Sequence, residues 1–465
     1  MSRLARRMKR RGSWLVAASA VALMAGVSAH ADDLNAALAQ AYVGNPTLDA
    51  ARAQLRATDE GVPQALSGWR PTVTGQVSAG PHWLQNHTEE PAGVQVRRNQ
   101  TYYPRTYSLT LTQPLFSGFG TVSGTKAAEN RVRAGRAQLL DTEQQVLFQA
   151  VQAYMTVVTD QSILELNRNN EKVLEAQLRA TEDRFQAGEV TKTDVAQAQS
   201  SLQGAIASRI QAEGNLTASK GVYRQVIGQE PVDLSMPAFQ VNLPTKLLDA
   251  QSMAQQQPQV IAAEYTELAT RDDIDTQFSQ LLPSLSLEGS VTHTDDNGSK
   301  LQSADDEMIL GVLTVPLYQA GAPDSRVREA KQVYQQARKQ LDEARRSADQ
   351  QVIAAWQALE TAQAQIKSFQ EQVRANDIAL EGVRQEQTVG ARTILDVLDA
   401  DQALLNSKVN LVTAQTNLVI ARYQVLQSIG RLNARDLALN VPVYDPTQHY
   451  NQVRNKIWGT GPSVQ

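Results

Sequence analysis

The chain contains no cysteine, which removes disulfides, thiolate metal sites and lipid attachment through cysteine. Aromatic residues make up only 5% of it. An excess of Ala, Gln and Ser instead fits helices packed through small side chains. Beyond the first 31 residues no apolar stretch reaches the roughly 18 residues of a membrane-spanning helix, so transmembrane helices are excluded. Proline is missing between Pro114 and Pro231 and again between Pro323 and Pro442. Because proline inside a helix costs about 3 kcal/mol, these two gaps favour long helices. Catalytic vocabulary is missing too. There is no nucleophile elbow, phosphate loop or paired-carboxylate cleft. His82, His87, His293 and His449 are scattered over predicted loops and the tail, none at metal-ligand spacing. The sequence therefore points to no enzyme and calls for no cofactor.

What is present begins with an address. Six basic residues between Arg3 and Arg11 precede an apolar core from Trp14 to Val27, and Ala29-His30-Ala31 fits a small-x-small cleavage site. Residues 1–31 thus read as a signal peptide, its apolar run being too short for the ~20 residues of a spanning anchor. Without the leader, 38 Lys+Arg (44 − 6) face 48 Asp+Glu, a net charge of −10. Nucleic acid, which selects basic faces, is a poor partner for such a chain.

The mature chain repeats itself. Pro114-Leu115-Phe116 returns 202 residues later as Pro316-Leu317-Tyr318, Ala153-Tyr154 as Ala355-Trp356, and Ile227-Gly228 as Ile429-Gly430. Upstream, Pro46 and Pro71 return at Pro258 and Pro283 with an offset of 212, so one copy carries a loop about ten residues longer. The repeat suggests a first unit over 32–245, a second over 246–430, and a C-terminal tail over 431–465. Within each unit a helix of about 68 residues, ~100 Å long, should end at Gly188 or Gly390. Thr191 and Thr393 then stand as N-caps, with Asp194 and Asp396 at capping-box spacing, writing a helical hairpin turn twice. The returning helices carry a heptad seam, Val195-Ala198-Leu202-Ala205 onward and Val397-Ala400-Leu404-Ser407 onward, which Arg209 interrupts in the first copy. Each returning helix and the segment before its strand unit (about 34–67 and 246–280) sum to the long helix. End-to-end stacking alongside it is expected, with a kink at Pro63 that Asp275 does not repeat.

Ahead of each long helix, period-two alternation marks strands: Val73, Val77 and Ala79 between polar residues, then Tyr107, Leu109 and Leu111, then Leu285, Leu287 and Val291. A fourth, Ile309 to Val315, is apolar on both faces. The polar stretches 81–101 and 293–306 read as surface loops, with Trp83, Tyr102 and Tyr103 as candidates for an interfacial aromatic belt. Alternation alone fits either a half-buried soluble sheet or a lipid-facing barrel wall. Four strands cannot close a barrel, whereas three chains would supply twelve.

Pro114-Leu115-Phe116-Ser117-Gly118, Arg184-Phe185-Gln186-Ala187-Gly188 and the run from Gly390 to Ala400 together resemble the TolC family of outer-membrane channel-tunnels, over nearly the whole mature chain. The resemblance implies an α+β membrane protein: a homotrimer with a twelve-stranded barrel among outer-membrane lipid and a coiled-coil helical tunnel crossing the periplasm. An equatorial belt would come from about 229–250 and the tail. It implies an exit duct for efflux or type I secretion, working with a periplasmic adaptor (membrane fusion) protein and an inner-membrane transporter, ABC or proton-driven. The tail residues Tyr444-Asp445-Pro446, His449-Tyr450 and Trp458-Gly459 look like the secretion branch.

By the same resemblance, Asp396 and Asp399 match an acidic constriction at the periplasmic entrance, where divalent cations could block. Arg392 and Thr193 match a latch between neighbouring helices, and Asp194 matches another whose partner here is Gln387. Read from the residues alone, Asp396 is a helix cap and Asp399 a solvated first-turn acid. The copies separate them, because Asp194 repeats the cap while Gln197 stands opposite Asp399. A soluble periplasmic coiled-coil adaptor or scaffold is the alternative; it would keep the hairpins but need no repeated strand unit.

Overall fold

A computed structural model of the chain describes residues 33–89, 95–237, 242–296 and 303–461; the basic leader lies outside them. The first copy opens with three short helices, α1 (Leu34–Gly44), α2 (Pro46–Asp59) and α3 (Gly61–Leu66). Their breaks have local causes. The Asn45 side chain accepts the Thr47 N–H at 2.9 Å, and Pro46 takes the first helical position, where no N–H is required. Pro63 has no N–H to offer the carbonyl of Asp59, and the helix is interrupted at Glu60.

Four strands follow, β1 (Thr72–Ala79), β2 (His82–Glu89), β3 (Gln95–Tyr102) and β4 (Arg105–Ser117). The long α4 (Gly120–Gln186) and the returning α5 (Lys192–Ile227) complete the copy. The second copy runs through α6 (Leu247–Ala254), α7 (Pro258–Phe278), β5 (Ser284–Asp295), β6 (Ser303–Thr314), α8 (Ala322–Thr388) and α9 (Ile394–Ser428). The tail adds α10 (Gln448–Val453). Here α7 passes Asp275 unbroken, as the missing proline requires.

Both long helices have 67 residues, about 100 Å at 1.5 Å per residue. α4 is flanked by α5 along one half and by α2 and α7 along the other; α8 is flanked likewise by α9 and α7. The short helices meet head to tail: the Asn45 amide donates to the Val226 carbonyl at 2.9 Å, and Gly430 abuts Gln257 and Pro258. None of the quoted seam positions is exposed. Arg209 fits its seam by pairing with Glu171 (2.6 Å) and Glu213 (2.9 Å), and Arg168 joins at Glu213. The largest core lies at mid-height, where Leu147, Tyr154, Tyr223, Leu426 and Leu432 bring both copies together with the first segment after α5 and the tail.

β1, β4, β5 and β6 form one antiparallel sheet in the order β1-β4-β5-β6. Its register puts Val73, Leu111, Gly289 and Ile309 in one row, and Leu109 with Val291 in the next. The opposite face carries Thr74, Thr110 and Ser290. Met308, Leu310 and Val312, paired with Ser290, Glu288 and Ser286, are apolar residues on that polar face. Among the described residues no layer covers either face: every residue of β1 is exposed, and Leu109, Val291 and Ile309 stand open. A soluble sheet would bury its apolar side; this one leaves it open, with edges at β1 and β6 unpaired among the described residues.

Two expectations are corrected. Within 81–101 the described residues form two paired strands, β2 and β3, continuing β1 and β4, rather than a loop; 90–94 lie outside the described residues. β5 likewise extends to Asp295 and β6 begins at Ser303, leaving a much shorter connection than 293–306. Strand β4 also runs past Pro114 to Ser117, through a bulge between Pro114 and Phe116. Pro114 is tolerated because β1 pairing ends at Thr112 and asks nothing of its nitrogen. The strand then reverses into α4 at Gly118, whose φ of +59° and crowding by the Ser279 carbonyl admit only glycine.

Candidate functional site

The hairpin tips carry the candidate residues. Gly188 and Gly390 adopt φ of +77° and +76°, ending α4 and α8 in the left-handed conformation. Behind each, crossed hydrogen bonds satisfy the last carbonyls: Glu189 N–H to Arg184 and Gly188 N–H to Phe185, then Ala391 N–H to Glu386 and Gly390 N–H to Gln387. Both capping boxes are complete. Asp396 accepts the Thr393 N–H at 2.9 Å and hydroxyl at 2.8 Å, and the Thr393 hydroxyl accepts the Asp396 N–H at 3.3 Å. Thr191 and Asp194 repeat this geometry.

Beyond that shared frame the tips differ. The Thr393 N–H and hydroxyl, helped by Arg392, hold the Asp396 carboxyl below its usual value. Arg392 lies on Glu386 at 2.9 Å and 3.9 Å from Asp396, and Glu386 favours its charged form. The first tip has a comparable contact of reversed polarity, Arg184 to Glu189 at 3.1 Å, five residues apart where Glu386 and Arg392 are six apart. Asp399 is exposed and, among the described residues, makes no ion pair or side-chain hydrogen bond. Ile394 and Leu398, beside it, pack on Leu174, Leu202 and Ala205 and so seat the second tip against the first hairpin.

Within one chain the latch residues are not joined to one another. Arg392 is engaged with its own hairpin, Asp194 with Thr191, and Thr193 is exposed. Gln387 is half-buried at the end of α8, its carbonyl taking the Gly390 N–H.

Other placements were not foreseen. Arg384 pairs with the buried Asp401 at 2.9 Å between α8 and α9, and burial still pushes the Asp401 carboxyl upward against that attraction. His449 is no exposed loop histidine: it lies on α10, 12% exposed, 3.1 Å from the fully buried Asp59. Arg454 reaches Glu129 at 3.0 Å, and the Tyr42 hydroxyl accepts the Tyr444 N–H at 3.0 Å. These contacts clamp the tail across α2 and α4. His82 and His293 also lie in strands, beside Tyr102 and Asp305 respectively.

A sheet with one apolar and one polar face, fused to paired helices of about 100 Å, narrows the comparison with known proteins. The model of the outer membrane efflux protein family matches residues 37–229 and 250–431, one match per copy. The chain belongs to that family. Outer membrane efflux protein BepC of Brucella suis biovar 1 is 33% identical over 442 residues, 94% of this chain and 94% of its own. Outer membrane protein TolC of Escherichia coli is 27% identical over 436 residues, 90% of this chain and 86% of its own. Proteases secretion protein PrtF of Dickeya chrysanthemi is 24% identical over 341 residues, 71% and 73% respectively. In fold, this outer membrane efflux protein is similar to the Campylobacter jejuni CmeC channel (TM-score 0.77, 16% identity, 91% of this chain and 89% of that one). CusC follows at TM-score 0.75 and 16% identity, covering 86% of this chain and 92% of that one. The relatives are outer-membrane proteins of efflux and secretion, which sets aside the soluble adaptor and places the chain in the outer membrane.

Proposed function

We propose that three copies close into a twelve-stranded barrel (3 × 4 strands), forming the exit duct of a tripartite efflux or type I secretion machine. One observation carries this reading: a four-stranded sheet uncovered on both faces, with free edges at β1 and β6, continuous with two helical hairpins. Open edges cannot stand in hydrocarbon, so β6 of one copy must pair with β1 of the next. Eight strands would be filled by side chains, whereas twelve leave a lumen lined by the Thr and Ser face. Since no nucleotide site is evident in the sequence, opening is driven from outside, by a periplasmic adaptor and an inner-membrane transporter.

In that assembly Asp396 and Asp399 ring the periplasmic mouth with six carboxylates (3 × 2), favouring cations. Arg392, Thr193, Asp194 and Gln387 then meet across neighbouring hairpins and set how readily the mouth opens. The test is direct. Because the chain has no cysteine, one introduced on β1 and one on β6 should form disulfide-linked oligomers no larger than three chains, and the purified protein should conduct in planar bilayers. A soluble, non-conducting monomer overturns the proposal. Parallel assays of drug sensitivity and the secreted proteome in a deletion strain assign the cargo.

A further inference from the structure

At mid-height, where the tail crosses α2, α4 and α7, a cleft of about 630 Å³ opens between them. Its size lies within the range of pockets that hold small molecules. Four guanidinium groups line it, Arg52 from α2, Arg133 and Arg136 from α4, and Arg435 from the tail, against two carboxylates, Glu143 and Asp436. Aromatic rings hold three of these arginines in place. Arg52 stacks over Tyr42 at 4.8 Å, Arg133 over Tyr265 at 5.7 Å and Arg136 over Tyr450 at 5.0 Å. Fixed planar forks of this kind suit carboxylate and phosphate oxygens.

The acids nearby are already engaged or set back. Asp49 takes Arg52 at 2.8 Å, and Asp436 accepts the Asn433 amide at 2.8 Å. Glu143 accepts the Ala434 N–H at 2.7 Å, and burial raises its carboxyl towards the neutral form. Asp59 and Asp445 feel the charge of Arg136, yet neither forms an ion pair with it among the described residues. The Arg136 Nε is buried and has no hydrogen-bond partner among the described residues, which is a costly state for a charged donor. Arg435 is exposed on the tail and also forms no ion pair among the described residues. Leu140, Ile261 and Val443 make the rest of the wall apolar.

We propose that this cleft binds a small organic anion, a carboxylate or phosphate on a compact apolar body, with Arg136 and Arg435 taking the anionic head. The occupant touches α4 of the first copy, α7 of the second and the tail, so it ties together three segments distant in sequence. Binding to the folded state alone would then raise the thermal midpoint of the helical signal.

Calorimetric titration of the full chain in amphipol tests this, with 2-naphthoate, its neutral amide and inorganic phosphate as probes. Saturable naphthoate binding is expected, with the amide and free phosphate each weaker by roughly tenfold or more. R136Q should weaken naphthoate by about the same factor, and so should R435Q, whose exposed position does not threaten folding. I261W, which fills the cleft without changing charge, should abolish binding. Equal affinity for naphthoate and its amide overturns the proposal. So does naphthoate binding that neither arginine variant alters, or phosphate bound as tightly as naphthoate.

Discussion

Arg392 closes its own hairpin on Glu386, 2.9 Å away, whereas at the first tip Arg184 on the helix reaches forward to Glu189 at 3.1 Å. Each tip is closed by an ion pair of opposite polarity, anchored on the matching helix-end positions Arg184 and Glu386 but reaching Glu189 in one copy and Arg392, one position further on, in the other. An E386R variant should therefore loosen the second tip by setting like charges together. The E386R/R392E double variant should restore it, in the order that the first tip already uses. Hydrogen exchange over 384–394 measures both, and a double variant no better ordered than the single would show that the pair is incidental.

Asp399 is exposed and makes no ion pair or side-chain hydrogen bond among the described residues, so D399N should leave the helical melting curve nearly unchanged. If the acid lines the entrance, the same variant weakens divalent-cation block of single-channel conductance. Block identical to wild type removes Asp399 from the entrance.

The Thr393–Asp396 capping box predicts a pH dependence at the second tip. The Asp396 carboxyl titrates below its ordinary value, held down first by the Thr393 N–H and then by its hydroxyl. A depressed folded pKa stabilises fully above the unfolded value and is lost as pH falls through the folded one. Exchange protection at 393–397 should thus be flat from pH 8 to about 5 and decline below about pH 4. T393A should cost about 1 kcal/mol of helix stability and flatten the acid response; a midpoint near neutrality would contradict the assignment.

Glycines of two kinds should respond with opposite signs. At Gly390 a Cβ would meet open space, but the backbone is left-handed at φ +76°, so G390A should destabilise the turn by about 1 kcal/mol. Gly204 lies inside α5 with equal space and no such φ, and G204A should stabilise it by about 0.5–1 kcal/mol. Tip-resolved hydrogen exchange of the two variants decides.

Much of this was legible because it is local. Thr191 with Asp194, Thr393 with Asp396 and the break at Pro63 depend on residues a few positions apart, and each appears as the sequence implies. The β2–β3 pairing was not legible, since Gln85 to Glu89 and Gln95 to Asn99 pair through their backbones and lack apolar alternation. The start of β6 was hidden by Asp305, Asp306 and Glu307, acids that read as loop but stand in a strand. The tail clamp was beyond reach for another reason: His449 and Asp59 lie 390 residues apart, and only the folded chain brings them together.

The exchanged charges at the two tips bear on whatever meets them. In the proposed ring of three chains, six tips would alternate between two polarities, so the rim would repeat every 120° rather than every 60°. A partner ring of six equal subunits would therefore have to dock through two distinct contact modes, one for each kind of tip.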